Sequence, residues 1–210
     1  MILSGRLAPN GQYLESELAN MLGVSRTPIR EACVRLATDG LAEIVPRHGI
    51  RITPLSADDV ADVYEVLTCL EGQAAALAAA RPVRSDDLAA LKALCAEMTE
   101  ALAEGDLSRW VEADREFHLR LVTSSDNPHL AVAAERFVDL AHRARLMTIG
   151  LQTPPASVDD HEALVAAVEK GKPKQARELL LALQENSGAA LVEILRQMTP
   201  PGAQDRQEVH

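Results

Sequence analysis

The apolar positions of the first fifty residues change period several times within a short space. Leu14, Leu18, Met21 and Leu22 recur at helical spacing and stop at Gly23, a residue suited to the left-handed turn after a helix. Past Gly23-Val24, Ser25 or Thr27 suits the cap of a second helix, and Pro28 falls in its first turn, where a missing N–H costs little. Ile29, Cys33 and Leu36 then share one face, and this helix ends at Asp39-Gly40. Residues 42–45 and 50–53 flank Pro46-Arg47-His48-Gly49 with an extended pattern, which predicts a β-hairpin with a glycine turn.

From Ser56 onward the pattern is helical almost throughout. The spacing predicts helices over 57–80, 86–104, 107–124, 128–148, 158–170 and 173–197, with Pro or Gly punctuation at Pro82, Gly105, Pro128, Pro154-Pro155 and Gly171. Ser56 with Asp59, and Ser157 with Asp160, have capping-box spacing, Ser85 precedes the acidic pair Asp86-Asp87, and Asn127-Pro128 opens a further helix. Such lengths and short loops fit an antiparallel bundle of about six helices. The expected fold is mostly α: a small mixed module over 1–54, an all-α bundle over 55–198 and a disordered tail over 199–210.

Composition adds a charge asymmetry. The chain carries −10 overall, yet residues 1–54 hold six basic side chains against five acidic ones, +1, which leaves −11 for the rest. A neutral-to-basic module joined to an acidic one implies two domains with different partners, so the average charge does not exclude nucleic acid. No apolar run reaches the roughly 18 residues of a membrane helix, and the N-terminus lacks a secretion pattern, so no membrane partner and a cytoplasmic location are expected. Cys33, Cys69 and Cys95, an odd count without C-x-x-C spacing, are expected to be reduced core residues.

Two short helices joined by a tight Gly turn and followed by a two-stranded wing make a winged helix-turn-helix, whose second helix enters the DNA major groove by its N-terminal end. Arg26 and Arg30, four residues apart, share the face opposite Ile29, Cys33 and Leu36. The run Leu18-Ala19, then Leu22-Gly23-Val24-Ser25-Arg26-Thr27-Pro28-Ile29-Arg30-Glu31-Ala32, Arg35-Leu36, Asp39-Gly40-Leu41 and Gly49 resembles the DNA-binding domain of GntR-type bacterial transcription regulators. The resemblance covers nearly all of residues 3–53. It implies that Ser25, Arg26, Thr27 and Arg30 contact operator bases and phosphates, and that His48 and Gly49 bring the wing tip to the minor groove. The family has a complete helix before its G-x-L-x-P-G turn, whereas this chain begins at Met1-Ile2-Leu3, which gives the expectation of a clipped domain. Some members also place an arginine where Ser16 stands.

In the bundle, Trp110, Phe117 and Leu121 recur at helical spacing, and Asp114 falls on that stripe with His118 one turn later. A carboxylate beside an imidazole pointing inward needs a partner: a mutual hydrogen bond, a metal or a polar ligand. His161 shares an apolar face with Leu164, Val165 and Val168, so Asp114, His118 and His161 could together hold a divalent ion with open positions. The helical part resembles the FCD ligand-binding domain of the FadR subfamily over about residues 57–195, best at Asp114-Arg115-Glu116-Phe117-His118, Asn127-Pro128, Leu130 and His161. The resemblance implies a site of Asp, the His one turn later and two more His on later helices; a divalent metal, Zn, Ni or Mn, is the expected occupant. The last His is replaced by Leu183, and an arginine that binds the effector carboxylate in many members is replaced by Leu67. These losses predict a drier, leucine-lined effector pocket of Leu67, Asp114, His118, His161 and Leu183. His142 is weighed as a substitute ligand against a surface residue.

The expected function is a homodimeric DNA-binding regulator of a palindromic operator, modulated by a small-molecule effector, by family analogy a carboxylic acid. Rival readings are an effector-binding module that has lost DNA binding and a metal-dependent hydrolase built on the same Asp and His residues. For the hydrolase no separate general base, phosphate loop or nucleophile stands out in the sequence.

Overall fold

The computed structural model describes residues 7–8, 10–38, 40–82, 84–151 and 158–198. The chain divides into two compact units, Met1–Leu55 and Ser56–His210.

In the first unit, β1 (Gln12–Tyr13) leads into α1 (Glu15–Leu22) and α2 (Arg26–Thr38), then β2 (Ala42–Val45) and β3 (Gly49–Ile52). α1 stops at Gly23, whose φ of 66° is the left-handed turn that permits α2 to leave at once in a new direction. α2 starts at Arg26, with Ser25 immediately before it. The hairpin forms as expected, Ala42 pairing with Ile52 and Val45 with Gly49. The sheet has three strands rather than the two expected, because Gln12 and Tyr13 pair antiparallel with Arg51 and Ile50. Leu18, Ala19, Ile29, Cys33, Ile50 and Ile52 close the core, with Leu36 partly buried against it. The packing thus uses one face of α2 and leaves the other to solvent.

The second unit is helical: α3 (Ala57–Ala80), α4 (Ser85–Glu104), α5 (Leu107–Ser124), α6 (Pro128–Thr148), α7 (Val158–Glu169) and α8 (Pro173–Met198). Local chemistry sets several of the ends. Ser56 accepts from the Asp59 amide while the Asp59 carboxylate accepts from the Ser56 amide, and Asn127 caps α6 ahead of Pro128. Ser157 of the expected capping box, the punctuation at Pro154-Pro155 and the tail over 199–210 lie outside the described residues.

α3 and α8 pack along each other at short range because a glycine on each faces a large side chain on the other. A Cβ on Gly72 would sit 2.6 Å from Leu181 Cδ1, and one on Gly188 would sit 2.8 Å from the Tyr64 ring. Trp110 and Phe117 of α5 fill the core with Leu91, Met98, Leu164 and Leu180. Cys33 and Cys95 are buried as expected, but Cys69 is exposed, on the outward stripe of α3. No helix among the described residues is long and apolar enough to cross a membrane.

Candidate functional site

Two sites follow from the sequence, one in each unit. In the first, Ile29 and Cys33 anchor α2 in the core, which turns Ser25, Arg26, Thr27 and Arg30 outward into solvent. Neither Arg26 nor Arg30 has an ion-pair partner among the described residues, so both guanidinium groups are available to an anion. At the wing tip Arg47 takes the left-handed conformation, φ 66°, and exposed His48 directs Nδ1 to the Pro46 carbonyl oxygen at 3.0 Å. Gly49 has a structural reason to be glycine. Its φ is 80°, and a Cβ there would lie 2.1 Å from the Tyr13 carbonyl oxygen. Arg47, which adds a charge to this tip, was not among the expected contacts.

In the second unit, α5 places Asp114 and His118 one turn apart, and α7 brings His161 against them. All three are buried, at 0%, 1% and 0% exposure. Asp114 Oδ1 lies 3.8 Å from His118 Nε2 and 3.4 Å from His161 Nε2. One ligand atom from each residue falls within 4.8 Å of the others. Donors about 2.1 Å from a shared ion stand roughly 3.0 to 3.4 Å apart at right-angled to tetrahedral geometry. The observed separations therefore suit a divalent ion after small adjustments. Asp114 Oδ1 and His118 Nε2 also make no hydrogen bond among the described residues, as expected of atoms aimed at a missing partner. Phe117 packs edge-on against both imidazoles, with centroids 5.7 and 4.8 Å away, and fixes their planes.

Around this triad the structure puts polar groups where the sequence predicts leucine. Arg145 reaches in from α6, its Nε 3.2 Å from Asp114 Oδ2. Glu71 of α3 is wholly buried with Oε1 3.0 Å from His118 Nδ1, and its other oxygen accepts a short hydrogen bond from the Gln184 amide of α8. Tyr64 and Ser187 add buried hydroxyls. Burial alone would raise the Asp114 pKa, but Arg145 and the two imidazoles outweigh it and hold the carboxyl well below the usual range. Burial alone would lower that of His118, and Glu71 overrides it and moves it upward. Burial pushes the Tyr64 phenol up to about 12, which keeps it protonated and able to donate.

The drier pocket is thus corrected. Leu67 and Leu183 are both buried, but Glu71 stands one turn after Leu67 and Gln184 directly follows Leu183. His142 is not a surface residue: it is 3% exposed, with Nε2 3.5 Å from Glu112, and it is not part of the converging Asp114, His118 and His161 group. Glu71, Arg145 and Gln184 escaped the sequence reading. The one available signal was a lone polar residue on an apolar stripe, as Glu71 is among Tyr64, Leu67, Ala74 and Ala78.

Comparison with known proteins agrees with both units. Residues 1–52 match the bacterial regulatory proteins of the gntR family, and residues 62–186 match the FCD domain. The HTH-type transcriptional regulator YdhC of Bacillus subtilis is 32% identical over 184 residues, 87% of this chain and 82% of that protein. The Nta operon transcriptional regulator of Aminobacter aminovorans is 30% identical over 196 residues, 93% and 91% of the two chains. Among solved structures, McbR/YncC of E. coli superposes with a TM-score of 0.81 at 22% identity, over 94% of this chain and 93% of that one, a likeness of fold.

Proposed function

We propose, from the premise that this chain belongs to the GntR family of bacterial regulatory proteins and carries an FCD domain, a specific division of labour between its two units. The protein is a DNA-binding transcription regulator and not an enzyme, as its relatives are. The reading head, residues 1–54, holds operator DNA through Ser25, Arg26, Thr27 and Arg30, with His48 and Gly49 of the wing beside the minor groove. It acts in the cytoplasm as a homodimer on a palindromic site, two heads doubling the contacts that one makes. The bundle, residues 55–198, senses a small carboxylic acid and shifts the dimer between geometries of different operator affinity.

The observation that carries the sensing role is the convergence of buried Asp114, His118 and His161 beside a buried guanidinium. These three residues would hold Zn, Ni or Mn, and the bound ion would supply an electrophilic point for an acid's oxygen. Arg145 takes the effector's other oxygen. Its Nη2 is buried without a hydrogen-bond partner among the described residues, as are the hydroxyls of Tyr64 and Ser187. Formal charge supports an anion there. Glu71, Asp114 and Arg145 sum to −1 with neutral imidazoles, so a divalent ion leaves +1, which one carboxylate offsets.

The test is the metal content of untagged, dialysed protein, followed by operator binding with small carboxylates. About one ion per chain, with operator affinity moved by an acid, is the expected result. A metal-free protein whose operator affinity no acid changes overturns the sensing part. Operator binding without ion or acid would still leave the reading head in place.

A further inference from the structure

Glu71 places Oε1 3.0 Å from His118 Nδ1, and that oxygen has no hydrogen-bond partner among the described residues. The Gln184 amide nitrogen is also near, 3.4 Å from the same ring nitrogen, while it donates at shorter range to the other Glu71 oxygen. Two arrangements of the neutral ring compete. With the proton on Nδ1, a positive N–H edge lies against the Glu71 carboxylate and the Nε2 lone pair faces Asp114 and His161. With the proton on Nε2, Nδ1 accepts from Gln184 and Nε2–H points at Asp114 Oδ1 across 3.8 Å, too long for a hydrogen bond.

The second arrangement would set an Nδ1 lone pair against a buried carboxylate oxygen at 3.0 Å, two acceptors facing with no proton between them. The first sets an N–H rather than a lone pair against Glu71, leaves the Gln184 amide with its shorter bond and aims a bare nitrogen where the ligand atoms converge. We infer that Glu71 is a positioning residue: it fixes His118 with the proton on Nδ1 and so presents Nε2 as a metal ligand. The inference deepens the metal reading proposed above and rests on it.

Outer carboxylates of this kind orient a ligating imidazole and raise its basicity, and losing one costs about 10- to 100-fold in metal affinity. The effect is larger in consequence here because Leu183 stands where the resemblance puts a further histidine, so three side chains must hold the ion. Glu71 also lowers the positive charge that Arg145 and a divalent ion would otherwise build up in one buried volume.

Two measurements on the full chain decide it. The first is the nitrogen-15 NMR of His118 in metal-free wild type at alkaline pH, where the ring is neutral. A protonated Nδ1 and bare Nε2, lost or mixed in Glu71→Gln, is the expected result, and a protonated Nε2 in wild type overturns the inference. The second is zinc affinity against a chromophoric chelator. Glu71→Gln is expected to weaken it about 10- to 100-fold, and Gln184→Met by no more than a few-fold. Unchanged affinity in Glu71→Gln, or the larger loss in Gln184→Met, overturns it. If wild type takes up no ion, the metal reading fails, and the NMR result alone decides what holds His118.

Discussion

Arg145 Nε stands 3.2 Å from Asp114 Oδ2, and the two side chains are 4% and 0% exposed, so a full ion pair lies inside the bundle. Such a pair adds little net stability over apolar residues of the same volume, but either half alone is an uncompensated buried charge. Arg145→Met is therefore expected to destabilise the protein by about 3–5 kcal/mol in urea unfolding. The double change with Asp114→Asn should recover most of that loss. A double variant no more stable than the single one would show that Arg145 acts elsewhere than through Asp114.

The reading surface makes a separate prediction, since Arg26 and Arg30 are exposed and have no ion-pair partner to lose among the described residues. Arg26→Ala and Arg30→Ala should each leave the melting temperature unchanged while weakening operator binding by about 1–3 kcal/mol where a base is contacted. Where the contact is a phosphate, the loss should be similar on any sequence, and the salt dependence should fall by about one counterion. Fluorescence anisotropy on operator and random duplexes at several salt concentrations separates the two. Wild-type affinity in both variants would remove this end of α2 from the interface.

His118 gives the metal-free protein a pH signature. Its folded pKa is raised above the ordinary 6.5 despite burial, through Glu71 and then Asp114. A raised folded pKa means stability that is fully present below the unfolded value and lost as pH rises through the folded one. The stability difference between wild type and His118→Gln, from urea midpoints, should be largest at acid pH and shrink above neutrality. Buried His142 shifts the other way, chiefly by desolvation, so it is best replaced by Asn in both backgrounds. A difference that grows with pH would refute the Glu71 contact.

Gly49 and Gly23 both have positive φ, 80° and 66°, but differ in what surrounds them. A Cβ on Gly23 meets nothing within 4 Å among the described residues, so Gly23→Ala should cost only the left-handed penalty of about 1–2 kcal/mol. Gly49→Ala forces β3 away from Tyr13 and should unfold the three-stranded sheet, detected as lost amide protection in residues 42–52 by hydrogen exchange. Equal protection in the two variants would count against the strand contact.

Much of the fold is legible because helix ends are written locally. Ser56 with Asp59, Asn127 with Pro128, and Gly23 and Gly105 in left-handed turns set boundaries by chemistry within four residues, and the helices fall within about two residues of expectation. β1 was illegible because two residues carry no alternation of their own and exist as a strand only through β3. The triad of Asp114, His118 and His161 stood out because polar residues on a stripe of large apolar ones are costly without a partner. Glu71, Arg145 and Gln184 come from three other helices, and nothing local announces that they meet. Replacing polar positions by Leu67 and Leu183 suggested dryness, but the helices supply polarity from the neighbouring turn.

The exposure of Cys69 has a practical side. It lines a groove of about 620 Å³ between α3 and α8, whose lining also includes Tyr64 and Gln184 of the buried cluster. Cys33 and Cys95 are buried, and burial pushes the Cys95 thiol up to about 12, far from the thiolate form. A maleimide dye added to the native protein should therefore attach at one position, and without any engineered cysteine. The protein comes with its own attachment point for a fluorophore, set on the rim of a groove that reaches two members of the buried polar cluster.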